Sequence, residues 1–115
     1  MKKVTRTEKV SLEELKLIAE NSFGNMLKAV VDIQKGIMIV GGQLHADEER
    51  ALMEEGSDQD NLWGINIYPE EKNDVFIEYD SMINLRPAQK NMTRGICDPK
   101  VRQKIEKIVL ELITK

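Results

Sequence analysis

Apolar residues recur along the chain in two rhythms, one of three to four residues and one of two, and the switches between them mark the elements. Leu12, Leu15, Ile18, Ala19 and Ser22 form one helical stripe. Ser11-Leu12-Glu13-Glu14 ahead of it is a capping box, in which Ser11 accepts from the amide of Glu14 and the Glu14 carboxylate returns to the amide of Ser11. Gly24, after Phe23, supplies a left-handed stop, so the helix ends near Ser22 or Phe23. A second helical stripe, Val101, Ile105, Ile108, Val109 and Leu112, follows Asp98-Pro99, a cap with proline at the first helical position. A shorter helix fits His45 to Gly56, capped by Asp47 or a neighbour, with Ala51, Leu52 and Met53 inward. Lys3 to Val10 is mixed, a short extra strand or a loose arm.

The two-residue rhythm marks two hairpins. In Lys28 to Gly42, arms of AVVDI and IMIV flank Gln34-Lys35-Gly36, a turn that sets Ile33 opposite Ile37 and Val31 opposite Ile39. Val30, Asp32, Met38 and Val40 then share the other face. Because both faces are apolar, a second layer or a partner subunit has to cover the outer one. The second hairpin joins Leu62–Pro69 to Val75–Pro87 through the turn Glu70–Asp74. Its later arm puts Val75, Ile77, Tyr79, Ile83 and Leu85 on one face and Glu78, Asp80, Asn84 and Arg86 on the other, with Ser81 and Met82 as exceptions. With Pro69 opposite Val75, Ile67 meets Ile77 and Asn66 meets Glu78, while Gly64 meets Asp80 and leaves open space over that carboxylate.

Together these elements predict one α+β domain over residues 1–115. It is a two-layer fold, an antiparallel sheet of two hairpins with the N- and C-terminal helices on one face and the short helix between the hairpins. A length of 115 residues suits a single core. Hydrophobic residues at 41% and charged residues at 32% exclude a disordered or fibrous chain. The net charge of −3 argues against broad nucleic-acid binding, which needs a basic face. No apolar run is long enough for a signal peptide or membrane span, and Cys97 is the single cysteine, so the expected location is cytoplasmic.

The candidate chemistry gathers on the outer sheet face and the loops beside it. Asp80, with Asn66, Asn84 and Arg86 on the same face, is placed to act as a general base or to position a polar ligand; otherwise Asp80 and Arg86 only satisfy each other. Arg86, Lys90, Asn91, Thr93 and Arg94 form the one basic, donor-rich stretch, suited to a small anionic ligand such as a phosphate or carboxylate. The loop from Ala88 to Cys97 has no period and is longer than the common connection, which marks it for function. His45, Asp47, Glu48 and Glu49 offer ligands for magnesium or manganese, His45 and Glu49 projecting together on the helix, or are simply its solvated start. Trp63 and Tyr79 read as packing residues, and Ser81 as a hydroxyl bonded within the core.

The blocks KAVVDIQKGIMIVGGQLHADEE, GSDQDNLWGINIYP, IEYDSMINLRPAQKNMTRG and DPKVRQKI, in this order, resemble a family of small prokaryotic proteins classed only as a domain of unknown function. The resemblance runs from about Ser11 onward. Lys28, Asp32, His45, Asp47, Trp63, Asn66, Asp80, Ser81, Asn84, Arg86, Asn91 and Arg94 carry it. It implies no activity.

The leading expectation is a binding or self-association module using the outer sheet face, a homodimer with Val30, Met38, Val40 and Phe76 buried against a second chain. The alternative is a small metal-assisted hydrolase of a phosphorylated or nucleotide-like substrate, in which His45, Asp47 and Asp80 hold a metal or water and Arg86 and Arg94 hold the anion. A regulator such as a toxin or antitoxin partner is a third possibility, suggested by size and acidity alone.

Overall fold

The computed structural model describes all 115 residues. Strands β1 (Lys2–Val4) and β2 (Val10–Ser11) precede helix α1 (Leu12–Asn21), and β3 (Leu27–Asp32) and β4 (Ile37–Val40) form the first hairpin. Helix α2 (His45–Glu54) leads to β5 (Leu62–Ile67) and the short β6 (Ile77–Glu78). Helix α3 (Pro99–Leu112) and β7 (Ile113–Thr114) close the chain. Five strands form an antiparallel sheet in the order β1-β4-β3-β5-β6, and β2 pairs with β7 in a separate parallel ribbon. The α+β architecture read from the sequence is the one observed.

Local signals explain where the helices begin and end. Ser11 caps α1 by accepting from the Glu14 amide at 3.0 Å, while Glu14 itself pairs with Lys2 at 3.3 Å instead of returning to Ser11. Gly24, at φ +92°, closes the helix through its amide to the Ala19 carbonyl. Asp98 caps α3 with Pro99 in the first turn. On one face of the sheet, Leu15 and Ala19 of α1 and Ile105, Ile108, Val109 and Leu112 of α3 pack on Ala29, Val31, Met38, Val40, Ile65 and Ile67. On the other face, Leu52 of α2 packs on Val30, Ile39 and Leu62. Met53, expected inward, is exposed.

Two expectations about register are corrected. Val31 lies opposite Met38 and Val30 opposite Ile39, a slip of one residue from the expected pairing. The turn is one residue longer, because Gly36 at φ +69° closes onto the Asp32 carbonyl at 2.9 Å while Asp32 Oδ1 accepts from the Gln34 and Lys35 amides. The slip turns every side chain of β4 over, so Met38 and Val40 enter the main core and Ile37 and Ile39 face α2. Val30, Met38 and Val40 are fully buried within the chain, so these three are not left for a second subunit to cover, and Phe76 is half-buried against the main core.

In the second hairpin, Ile67 pairs with Ile77 and Asn66 with Glu78 as expected, but the ladder ends there. Tyr79 to Pro87 is not strand. Ser81 accepts from the Ile83 amide and starts a 3₁₀ turn over Met82–Asn84, which breaks the two-residue rhythm and moves Ile83 to the α2 side. Space above Gly64 is also not open. A β-carbon there would stand 2.6 Å from Ser81 Cβ, so it is Ser81, not Asp80, that closes over the glycine.

Candidate functional site

Three strands bring one polar residue each to the same row of the outer face. Asn66 of β5 lies between Lys28 of β3 and Glu78 of β6, each its direct cross-strand partner. Asn66 Nδ2 donates to Glu78 Oε1 at 2.9 Å and to the Asp80 carbonyl at 3.4 Å, and the Tyr68 hydroxyl donates to the same Glu78 oxygen at 3.0 Å. Asp80 Oδ1 accepts from Arg94 Nε at 2.7 Å. The remaining oxygen of Asn66 is sealed from solvent and receives no hydrogen bond.

His45, in the first turn of α2, overhangs this row. Its Nε2 is 2.8 Å from the Ile65 carbonyl, so the neutral ring donates there and leaves Nδ1 as a free acceptor. Burial pushes its pKa below the usual histidine value. The hydrogen bond to Ile65 opposes the shift, and the ring also feels the charges of Lys28, Asp80 and Arg94. No side chain caps α2, so the cap by Asp47 or a neighbour expected from the sequence does not form; Leu44 stands at the N-cap. Burial and the bond to Glu78 raise the Tyr68 phenol above its ordinary pKa, so it remains a donor at neutral pH.

Asn84, Arg86 and Asn91 occupy a different place. Beyond its two pairs with β6, the edge of β5 is closed by side chains. Asn84 both accepts from the Gly64 amide and donates to the Gly64 carbonyl, and Arg86 donates to the Leu62 and Ile83 carbonyls. Arg86 also stacks over Trp63, 4.7 Å from the ring centroid, and pairs with Glu49 at 3.4 Å. Burial lowers its pKa from the free value, and Glu49 and Asp60 oppose that shift. Asn91 donates to the carbonyls of Asn84, Thr93 and Gly95 and accepts from the Cys97 amide, which ties down the irregular segment from Arg86 to Cys97. The hydrogen bonds of Asn84 and Asn91 are thus spent inside the chain, while Asn66 and Arg94 face the outer cluster with Asp80. Asp80 is partnered by Arg94, and Arg86 by Glu49, so the expected Asp80 to Arg86 pair does not form.

The candidate metal ligands diverge. His45 is held by Ile65, Glu49 by Arg86, and Asp47 lines a cleft of about 650 Å³ with Gly42, Arg50 and Glu54. No three His, Cys, Asp or Glu side chains converge. A second concavity of about 370 Å³ lies between Trp63, Lys90, Asn91, Cys97 and Val101, away from the Asn66 row.

Glu48, which the sequence offered as a metal-ligand candidate or as part of a solvated helix start, is instead fully buried under Gly42. Its Oε2 accepts from the Gly42 amide at 2.9 Å and its Oε1 has no partner. Burial raises its pKa to about 8. The signal was its spacing: His45, Glu48 and Leu52 fall on one helical stripe. Lys28, a lone cation in a β-branched run, carried a similar signal.

The fold and the site describe a small α+β domain with a polar cluster on its second sheet face. The chain belongs to the family described as protein of unknown function (DUF5674), whose model matches residues 4–112. No curated protein and no solved structure matches it. No helix is long and apolar enough to cross a membrane.

Proposed function

We propose that the cluster of Lys28, His45, Asn66, Glu78, Asp80 and Arg94 binds a small polar ligand carrying an anionic group next to an N–H or O–H. The observation that carries this reading is the Asn66 side-chain oxygen, buried in a polar row with no donor from the chain. A buried acceptor left unpaired costs about 1–3 kcal/mol, which a ligand N–H or O–H offsets once the side chains over Asn66 part to admit it. Lys28 and Arg94 are the cationic partners for the anionic group, Arg94 by exchanging its bond to Asp80. The chain's single cysteine fits work in a reducing cytoplasm. Metal-assisted hydrolysis lacks comparable support, because His45 is bonded to Ile65, Glu49 to Arg86 and Asp80 to Arg94, Asp47 lines a separate cleft, and no three such side chains converge.

His45 is the only histidine, so its imidazole resonances report on the site without ambiguity. Titration with amino acids, hydroxy acids and phosphomonoesters should give a saturable shift of those resonances for at least one class. Affinity should weaken several-fold in R94A and on raising salt. A folded protein whose His45 ignores every class in the panel refutes the reading.

A further inference from the structure

We propose that α2 is a proton-held cover of the second sheet face, docked while the Glu48 carboxyl keeps its proton and opening as a unit with release of that proton. The proposal stands on the geometry of the docked face. Only three residues of α2 are buried, His45, Glu48 and Leu52, and only Leu52 is aliphatic. The apolar cluster it completes holds four buried residues, Leu52 of α2 among them, against eighteen on the opposite face, so opening breaks this small cluster, the His45 bond to Ile65 and the Glu49 pair with Arg86 but leaves the main core in place.

Glu48 contributes a carboxyl with one hydrogen bond, from Gly42, and one bare oxygen. Gly42 admits it only for want of a side chain, since a β-carbon there would lie 2.7 Å from Glu48 Cγ. An ionised carboxylate in this position finds no compensating ion pair. β3 presents Lys28, whose ammonium rests 5.1 Å from the Phe23 ring, and Asp32, which is tied to Ser57. The Met1 amine acts from a distance, Asp47 and His45 belong to α2 itself, and Glu49 is paired with Arg86. β4 and the Met82–Asn84 turn bring no charge. Once α2 has opened, water solvates the carboxylate and its affinity for the proton falls to that of an ordinary glutamate.

The segment is already hinged. Gly41 and Gly56 flank α2 at φ +86° and +102°, so the backbone at either end has the freedom the motion requires. Opening would uncover Val30, Ile39 and Leu62.

Hydrogen exchange on the full chain, corrected for intrinsic rates, tests this without any ligand. Amides of α2 should be less protected than those of β3 and β5, and their protection should fall about fifteenfold from pH 6.5 to pH 8, then level off. In E48Q, which keeps the size and the Gly42 bond, α2 protection should be flat over the same range. Equal protection of α2 and β3, meaning exchange only by global unfolding, overturns the proposal. So does a pH slope that survives in E48Q.

Discussion

Asn84 acts as the strand partner that Gly64 lacks. Its Oδ1 accepts from the Gly64 amide at 2.9 Å and its Nδ2 donates to the Gly64 carbonyl at 3.0 Å, with a further bond to the Arg94 carbonyl at 3.0 Å. One side-chain amide thus replaces a residue of backbone on the edge of β5, and the edge is closed to pairing with other chains. N84A should lower the unfolding free energy by about 3 kcal/mol, since it strands buried backbone groups. N84D keeps the acceptor but removes both donors, so it should also destabilise. Urea denaturation reads both, and a change in N84A under about 1 kcal/mol would show that water substitutes for the side chain.

Gly64 is required for a second reason. A methyl group at this position would overlap Ser81, whose Cβ and Oγ each lie 2.6 Å from the added carbon. G64A should destabilise by about 1–3 kcal/mol. S81G in the same chain should recover part of that loss, because the two sites compete for one space. Strict additivity in the double mutant would argue against the contact.

Two ion pairs, one tying Arg86 to Glu49 of α2 and one joining Arg94 to Asp80 between loops, should differ sharply in weight. Arg86 and Glu49 are 10% and 13% exposed, and Arg86 also binds the Leu62 carbonyl and stacks on Trp63. Arg94 and Asp80 are 56% and 44% exposed. Thermal or urea unfolding should therefore show about 3–5 kcal/mol lost in E49A, which leaves Arg86 buried without its counter-charge. R94A should lose no more than about 1 kcal/mol. R86K should change the emission of Trp63, the only tryptophan, since an ammonium does not reproduce the stacked plane.

Stability should depend on pH through two groups of α2 acting in opposite directions. Glu48, raised to about 8 from 4.5, binds its proton more tightly when folded. Its contribution is complete below pH 4.5 and is lost as pH rises toward 8, at about 1.4 kcal/mol per unit. His45 is shifted below 6.5, so the unfolded chain takes up that proton first and stability falls as pH drops under 6.5. In the wild type the two slopes oppose each other below pH 6.5, and Glu48 alone acts between 6.5 and 8. E48Q should be flat from 6.5 to 8 and lose stability on acidification below that. Urea midpoints measured across pH 5–9 decide it, and a wild type indifferent to pH between 6.5 and 8 contradicts the buried state of Glu48.

Much of the architecture can be read from neighbouring residues. Ser11, Gly24 and Asp98-Pro99 mark helix ends because caps are made within three or four residues, and the apolar stripes of α1 and α3 choose their buried faces by spacing alone. The Asn66 to Glu78 pairing followed from the same short-range logic, since the loop between β5 and β6 leaves their alternation in phase. Tertiary structure decided the rest. The face presented by β4 depends on one residue in a turn, and a slip of one exchanges the whole strand. Alternation past Glu78 was misleading because Tyr79 to Pro87 satisfies its polar groups by reaching across to β5 and to Arg94, contacts no local rhythm records. Glu48 is an acidic residue in an acidic helix until α2 docks, and only the packing of α2 over Gly42 makes it a buried carboxyl. Periodicity reports which side of an element is apolar; the partner of each polar atom is set by what the fold brings to it, from six residues away for Glu48 and Gly42 to twenty for Asn84 and Gly64.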